Sequence, residues 1–168
     1  RCRIECHIDD AFLGHRIALQ FDPHHLSGQS PARCRAQRDI RSLARQHPLR
    51  AGLIYVGTDD GRIWRTDDGG AGWKEINRGV PVKWVAELVA SKYDENTVFM
   101  AQNGKRDDDF RPYLWKSTDK GESWTSIVAN LPSGPVNVIK EDPRNRDVLY
   151  VGTDLAVYVS LNGGREWR

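Results

Sequence analysis

TDDGGAGW (Thr66 to Trp73) is the first of three octads with one pattern; STDKGESW (Ser117 to Trp124) and SLNGGREW (Ser160 to Trp167) are the others. Each reads Ser/Thr-x-Asp/Asn-x-Gly-x-x-Trp, and the tryptophans stand 51 and 43 residues apart. The residue types suit a hairpin turn. Asp68, Asp119 and Asn162 at the third position can accept backbone N–H groups across the turn, while Gly70, Gly121 and Gly164 at the fifth tolerate the positive φ that a β-carbon penalises. Thr66, Ser117 and Ser160 open the octads. Trp73, Trp124 and Trp167 start the returning strand and bring a large ring to close the hairpin against a neighbouring sheet. All twelve residues are read as structural.

Outward from the octads the chain aligns with itself. LIYVGT (Leu53 to Thr58), TVFMAQ (Thr97 to Gln102) and VLYVGT (Val148 to Thr153) are β-branched and aromatic runs of strand length. RIWRT (Arg62 to Thr66), YLWKS (Tyr113 to Ser117) and AVYVS (Ala156 to Ser160) follow them and lead into the octads. Before each pair lies a further strand, at Arg41 to Gln46, VKWVAELVA (Val82 to Ala90) and VNVIKED (Val136 to Asp142). WKEI (Trp73 to Ile76) and WTSIV (Trp124 to Val128) supply a fourth. Four strands in each period of about 40 to 50 residues predict an all-β chain of propeller blades. Tyr55, Phe99 and Tyr150 recur at one place in each blade, which predicts core positions.

These octads and their spacing resemble Asp-box, or bacterial neuraminidase, repeats. Residues 47–168 are similar to part of the sortilin-like propeller family, a broad group that also takes in xyloglucanase-type glycoside hydrolases, sialidases and a photosystem assembly factor. The resemblance implies a partial β-propeller of about three four-stranded antiparallel blades, near 41–77, 82–129 and 135–168, whose remaining blades belong to a longer parent. It implies less about activity, because one propeller scaffold hosts many functions. It points to an extracytoplasmic or secreted setting, although no export signal is visible in the chain. Sialidase activity is disfavoured, since Arg62, Arg65 and Arg111 sit in no recognisable triad context.

Residues 1–40 read differently. All three cysteines (Cys2, Cys6, Cys34) and all five histidines precede residue 48, whereas every tryptophan, tyrosine and lysine follows residue 50. The first 50 residues hold nine arginines against five acids. Leader, piece of another domain and segment translated out of frame are the three readings of this irregular stretch, and the last is the expectation, which coding DNA would test. The cysteine spacing fits no disulfide framework and lacks the paired knuckles of a structural zinc site, so no metal and no cofactor is expected. The net charge of +2 is that of an ordinary solvated surface and makes no case for nucleic acid. No run of about 18 apolar residues exists, so no helical membrane span is expected.

In a four-stranded meander the octads join strands three and four, which places strand two-to-three turns and the links between blades on the opposite face. That face carries Asp59, Asp60 and Asp154, and the longest connection, NGKRDDDFRP (Asn103 to Pro112). Binding residues concentrate on loops held by a rigid scaffold. Asp59, Asp60, Arg106, Asp107, Asp108, Asp109, Arg111 and Asp154 are therefore the candidate ligand-binding residues, with a protein, peptide or glycan as ligand. A non-catalytic binding scaffold is the expected function. The alternative is a xyloglucanase-like glycoside hydrolase, which needs two carboxylates about 5 to 9.5 Å apart, one with a raised pKa. Adjacent aspartates on one loop do not form such a pair unaided, and no catalytic residue is assigned.

Overall fold

The computed structural model describes residues 42–168, together with a two-residue ladder in which β1 (Ile4–Glu5) pairs antiparallel with β2 (Gln20–Phe21). What the sequence suggests for residues 1–40 otherwise lies outside the described residues. The remainder is all-β: three antiparallel meanders set side by side, each built in chain order. The first contains β3 (Ser42–Gln46), β4 (Ile54–Thr58), β5 (Ile63–Thr66) and β6 (Lys74–Glu75). The second contains β7 (Trp84–Ala90), β8 (Val98–Gly104), β9 (Asp109–Ser117) and β10 (Thr125–Ser126). The third has β11 (Val136–Glu141), β12 (Leu149–Thr153) and β13 (Val157–Ser160), and Val159 exchanges backbone hydrogen bonds with Arg168 at 2.9 and 3.0 Å.

Alternation along each strand sends its two sets of side chains to two different neighbours. Leu53, Tyr55, Ile63 and Ile76 of the first sheet meet Val85, Leu88, Val98 and Met100 of the second. Phe99, Ala101 and Leu114 of the second sheet meet Val136, Ile139, Leu149 and Val151 of the third. Ile54 and Val56, pointing away from the second sheet, join Ala44, Trp64 and Trp73 in a separate cluster. Each fully buried Leu or Ile in these interfaces contributes about 1.5–3 kcal/mol of transfer free energy. The cores thus lie between blades, the propeller arrangement that the period predicts.

The octads fasten this stack. Thr66, Ser117 and Ser160 each donate a hydroxyl bond to the third-position Asp or Asn, at 2.6, 2.7 and 3.0 Å. Each hydroxyl oxygen also accepts the N–H of Gly70, Gly121 or Gly164. Asp68 accepts from Gly72 N–H, Asp119 from Ser123 N–H, and Asn162 from the N–H groups of Arg165 and Glu166. The ring nitrogens then reach backwards: Trp124 Nε1 donates to the Ile76 carbonyl and Trp167 Nε1 to the Ile127 carbonyl, both at 2.9 Å. Gly121, at φ 88°, has a second reason to lack a side chain, because a β-carbon there would overlap Ile76 of the preceding sheet.

Three details differ from the sequence reading. The connection 103–112 is not a long open loop: β8 and β9 extend until Gly104 pairs with Asp109, leaving a 3-10 turn at Lys105–Asp107 and left-handed Asp108 at the tip. The strands continue because Asn103 and Asp109 find partners there, described below. Tyr150, in register with the buried Tyr55 and Phe99, is exposed, since its side of the third sheet meets no further sheet among the described residues. The fourth strands shrink to two residues each, with Ile76 and Ile127 adding one more backbone bond apiece.

Candidate functional site

Each octad turn donates a backbone bond to the loop joining the first two strands of its own sheet: Gly69 N–H to Gly52 C=O, Lys120 N–H to Asn96 C=O, and Gly163 N–H to Asp147 C=O. Those two sets of turns share one face. The β4–β5 turn, the β8–β9 hairpin tip, the β12–β13 turn and the inter-blade links occupy the other, and the hairpin tip stands at its centre.

Side chains of three blades hold that tip. Arg106 Nη1 lies 3.5 Å from Asp59 Oδ2 of the first blade, and its guanidinium sits 4.8 Å above the Trp84 ring. Lys105 Nζ donates to Asp154 Oδ2 of the third blade at 2.9 Å. Asn103, buried, accepts the Lys105 N–H and donates to Asn137 Oδ1 at 2.7 Å, and Asn137 donates onward to Asp154 Oδ1 at 2.8 Å. A closed polar circuit of four residues results, every member satisfied, which is the condition under which a polar network rigidifies its surroundings.

Asp109 is the most heavily engaged carboxylate. It accepts from Arg111 Nε and Nη2 at 2.9 and 2.8 Å, from the Tyr113 hydroxyl at 2.7 Å, and has Lys83 Nζ at 3.4 Å. The fork of Arg111, then the Tyr113 hydroxyl, holds its pKa well below the usual carboxylate range. Asp154 is likewise lowered by its bonds from Asn137 and Lys105. Lys83 Nζ also donates to Asp107 at 3.0 Å, and its own pKa is raised by that bond.

Of the eight candidate residues, six are brought to this hairpin: Asp59, Arg106, Asp107, Asp109, Arg111 and Asp154. Asp108 caps the tip in a left-handed conformation without a side-chain partner among the described residues. Asp60 turns back to its own hairpin, accepting from Thr58 Oγ1 and lying 3.7 Å from Arg62. Sequence reasoning missed Lys83, Trp84, Lys105, Asn103 and Asn137. Lys83-Trp84 carried a readable signal, a cation and an aromatic entering a strand from an inter-blade link, whereas Asn137 lies inside a strand run and Asn103 opens the stretch read as a connection. Among the described residues no group of three His, Cys, Asp or Glu could hold a metal ion, and no helix is long and apolar enough to cross a membrane.

A family model described as Sortilin-Vps10 (sortilin, neurotensin receptor 3) matches residues 61–168. The chain belongs to the Sortilin-Vps10 family. It is 30% identical over 78 residues to the vacuolar protein sorting/targeting protein 10 of Leptosphaeria maculans, an alignment covering 46% of this chain and 4% of that protein. Sortilin-Vps10 membership agrees with two structural likenesses. An ancestral GH74 enzyme superposes with a TM-score of 0.62 at 24% identity, over 76% of this chain and 18% of the enzyme. YCF48 bound to a D1 peptide superposes with a TM-score of 0.53 at 19% identity, over 76% of this chain and 43% of that one. Both show the propeller fold.

Proposed function

We propose that this Sortilin-Vps10 chain is a non-catalytic binding module that presents the Lys105–Asp109 hairpin face to a protein ligand. The observation that carries the reading is the state of the carboxylates. Hydrolysis of a glycosidic bond asks for an acid whose pKa is raised, whereas Asp109 and Asp154 are lowered and tied to cations. Their bonds serve to fix the shape of a surface. Peptide binding by a propeller of this architecture has a parallel in YCF48, which is found bound to a D1 peptide. The octad residues, read as Asp-box turn-builders, act on the far side of the blades and hold this face only through the sheets.

The test pairs two assays on the full chain. Peptide-array overlay is expected to show retained peptides, with retention lost in an Arg106→Ala/Arg111→Ala variant. A reducing-sugar assay on xyloglucan is expected to give no release above buffer. Sugar release that disappears in Asp109→Asn would replace the binding reading with the glycoside hydrolase alternative, which shares only the fold likeness to the GH74 enzyme.

A further inference from the structure

We propose that Asn162–Gly163 is a self-modification site, where the carboxamide is hydrolysed through a cyclic imide to an aspartate that gives the third octad the acid of the first two. The chain contains two Asn-Gly pairs, Asn103–Gly104 and Asn162–Gly163. In either, the glycine nitrogen can attack the preceding Cγ, because glycine has no β-carbon to obstruct ring closure. The fold separates them. Asn103 is buried, its Nδ2 donates to Asn137 Oδ1 at 2.7 Å, and its Oδ1 accepts Lys105 N–H at 2.9 Å. Gly104 is crowded as well, since a β-carbon there would lie 2.7 Å from the Asp109 carbonyl oxygen. Asn162 is exposed, and nothing lies within 4 Å of where a β-carbon would stand on Gly163. The side-chain bonds of Asn162 all run to Oδ1, which leaves Nδ2, the departing group, without a partner among the described residues.

The reaction needs only water. Gly163 N bonds to Cγ and gives up its proton, the Cγ–Nδ2 bond breaks, and ammonia leaves with a proton. Water then opens the imide. Attack at Cγ breaks the new bond and leaves aspartate in an unaltered backbone, whereas attack at the main-chain carbonyl carbon leaves isoaspartate and one more methylene in the chain. The octad favours the first. Ser160 Oγ, Arg165 N–H and Glu166 N–H converge on Oδ1 at 3.0, 3.1 and 3.0 Å, so negative charge developing on that oxygen during attack at Cγ is stabilised. Gly163 N–H donates to the Asp147 carbonyl at 2.8 Å, a bond that the ordinary backbone restores and the lengthened one displaces. The product has two precedents in the same chain. Asp68 and Asp119 hold this place with a hydroxyl and a backbone N–H as donors, and an ionised acceptor makes such bonds roughly twice as strong.

The experiment stores the full chain, beside a synthetic peptide of residues 156–168, in mildly alkaline buffer. Mass spectrometry follows the amide-to-acid shift in the tryptic peptides 93–105 and 147–165. Conversion in 147–165 is expected to exceed that in 93–105 by more than about tenfold, because Asn103 must first give up a buried bond. Digestion with a protease that cuts before aspartate but not before isoaspartate is expected to find mostly aspartate at position 162 of the chain and mostly isoaspartate in the free peptide. An Asn162→Asp variant is expected to unfold at a higher urea concentration than the fresh chain. Conversion at Asn103 as fast as at Asn162 would overturn the selection by the fold. A chain that stays unconverted while the free peptide converts would overturn the site itself. Isoaspartate as the main product in the chain, or a lower urea midpoint for Asn162→Asp, would overturn the completion of the octad. The ligand reading of the hairpin face stands or falls separately from all of these.

Discussion

At Gly57 two blades approach closely, and replacing it by alanine isolates the energy of that approach. Its φ is ordinary, so alanine meets no backbone strain, but a β-carbon there would lie 2.8 Å from Val85 Cβ and 3.1 Å from Leu88 Cδ1. Val85 Cβ is fixed to the β7 backbone and cannot rotate away, and Val85 and Leu88 are both buried in the interface. The two sheets must therefore separate locally. Overpacking of that kind costs about 1–3 kcal/mol, against a gain of a few tenths to about 1 kcal/mol from restricting the unfolded chain. Gly57→Ala is expected to destabilise by roughly 1–2 kcal/mol on that balance. Val85→Ala alone removes two buried methyl groups and costs about 2 kcal/mol with its cavity. In the double variant the overlap with the Val85 Cγ methyl is gone while the 2.8 Å approach to the Cβ of residue 85 stays, so the strain is relieved in part and the cost should fall short of the sum by more than about 0.5 kcal/mol. Urea unfolding followed by tryptophan emission reads all three, with the linear slope checked for constancy. Additivity within about 0.5 kcal/mol would show that residues 57 and 85 do not press on each other and would undo the packing of the first blade on the second.

Further expectations concern the turns and the pH response. Asp119→Ala removes the acceptor of Ser117 Oγ, Ser123 N–H and Ser123 Oγ and should cost about 1–2 kcal/mol by urea titration, while Asp119→Asn, the residue that serves at 162, should cost less than half of that. His47 is buried and its pKa is lowered, chiefly by desolvation. A folded pKa below the unfolded value means the unfolded chain takes up the proton first, so stability is full above about pH 6.5 and declines below it. A His47→Gln variant should lose most of that slope in melts taken from pH 7.5 to 5; an unchanged slope would move its origin elsewhere. Glu95 is pulled down to about 2 by its bond from Lys120 and then from Arg50. Its contribution is present above its ordinary pKa and lost as pH falls toward 2, so Lys120→Met should shift the acid-unfolding midpoint upward.

The fold was readable because every blade must solve the same two problems, closing a hairpin and packing on its predecessor, and solves them with the same residues. Ser117, Asp119, Gly121 and Trp124 each perform one definable part of that task, and a sequence repeated three times exposes them. Tyr150 is where register and burial part. Its register equals that of Tyr55 and Phe99, but burial depends on what stands beside the sheet, which register does not specify. The connection 103–112 shows another limit. Its Gly, Lys and Asp content signals an irregular loop, yet the bonds of Asn103 to Asn137 and of Asp109 to Arg111 and Tyr113 extend the ladder. Asn137 comes from the next blade, while Arg111 and Tyr113 stand two and four residues along β9 from Asp109.

The candidate site was half readable for the converse reason. Asp59, Arg106, Asp109 and Asp154 lie on a face that the strand count could assign, Asp59 and Asp154 at one place in the repeat after Gly-Thr and Arg106 and Asp109 in the longest connection. Of their partners, Lys83 carried a signal beside Trp84, whereas Lys105 and Asn137 have no distinguishing pattern and become visible only through Lys105–Asp154 at 2.9 Å and the Asn103–Asn137–Asp154 relay. The octad residues hold the blades together, and the hairpin that lengthens the second period is set on the opposite surface, tied there to the repeated Asp59 and Asp154. Cutting the relay with Asn137→Ala should therefore leave the octad turns intact and free the hairpin. Amide exchange at residues 104–109 should accelerate, while protection at Gly121 and Gly164 stays as it was. Equal acceleration at both places would mean that the hairpin face and the octad face are one cooperative unit, and that the loss of a site residue cannot be separated from the loss of the fold.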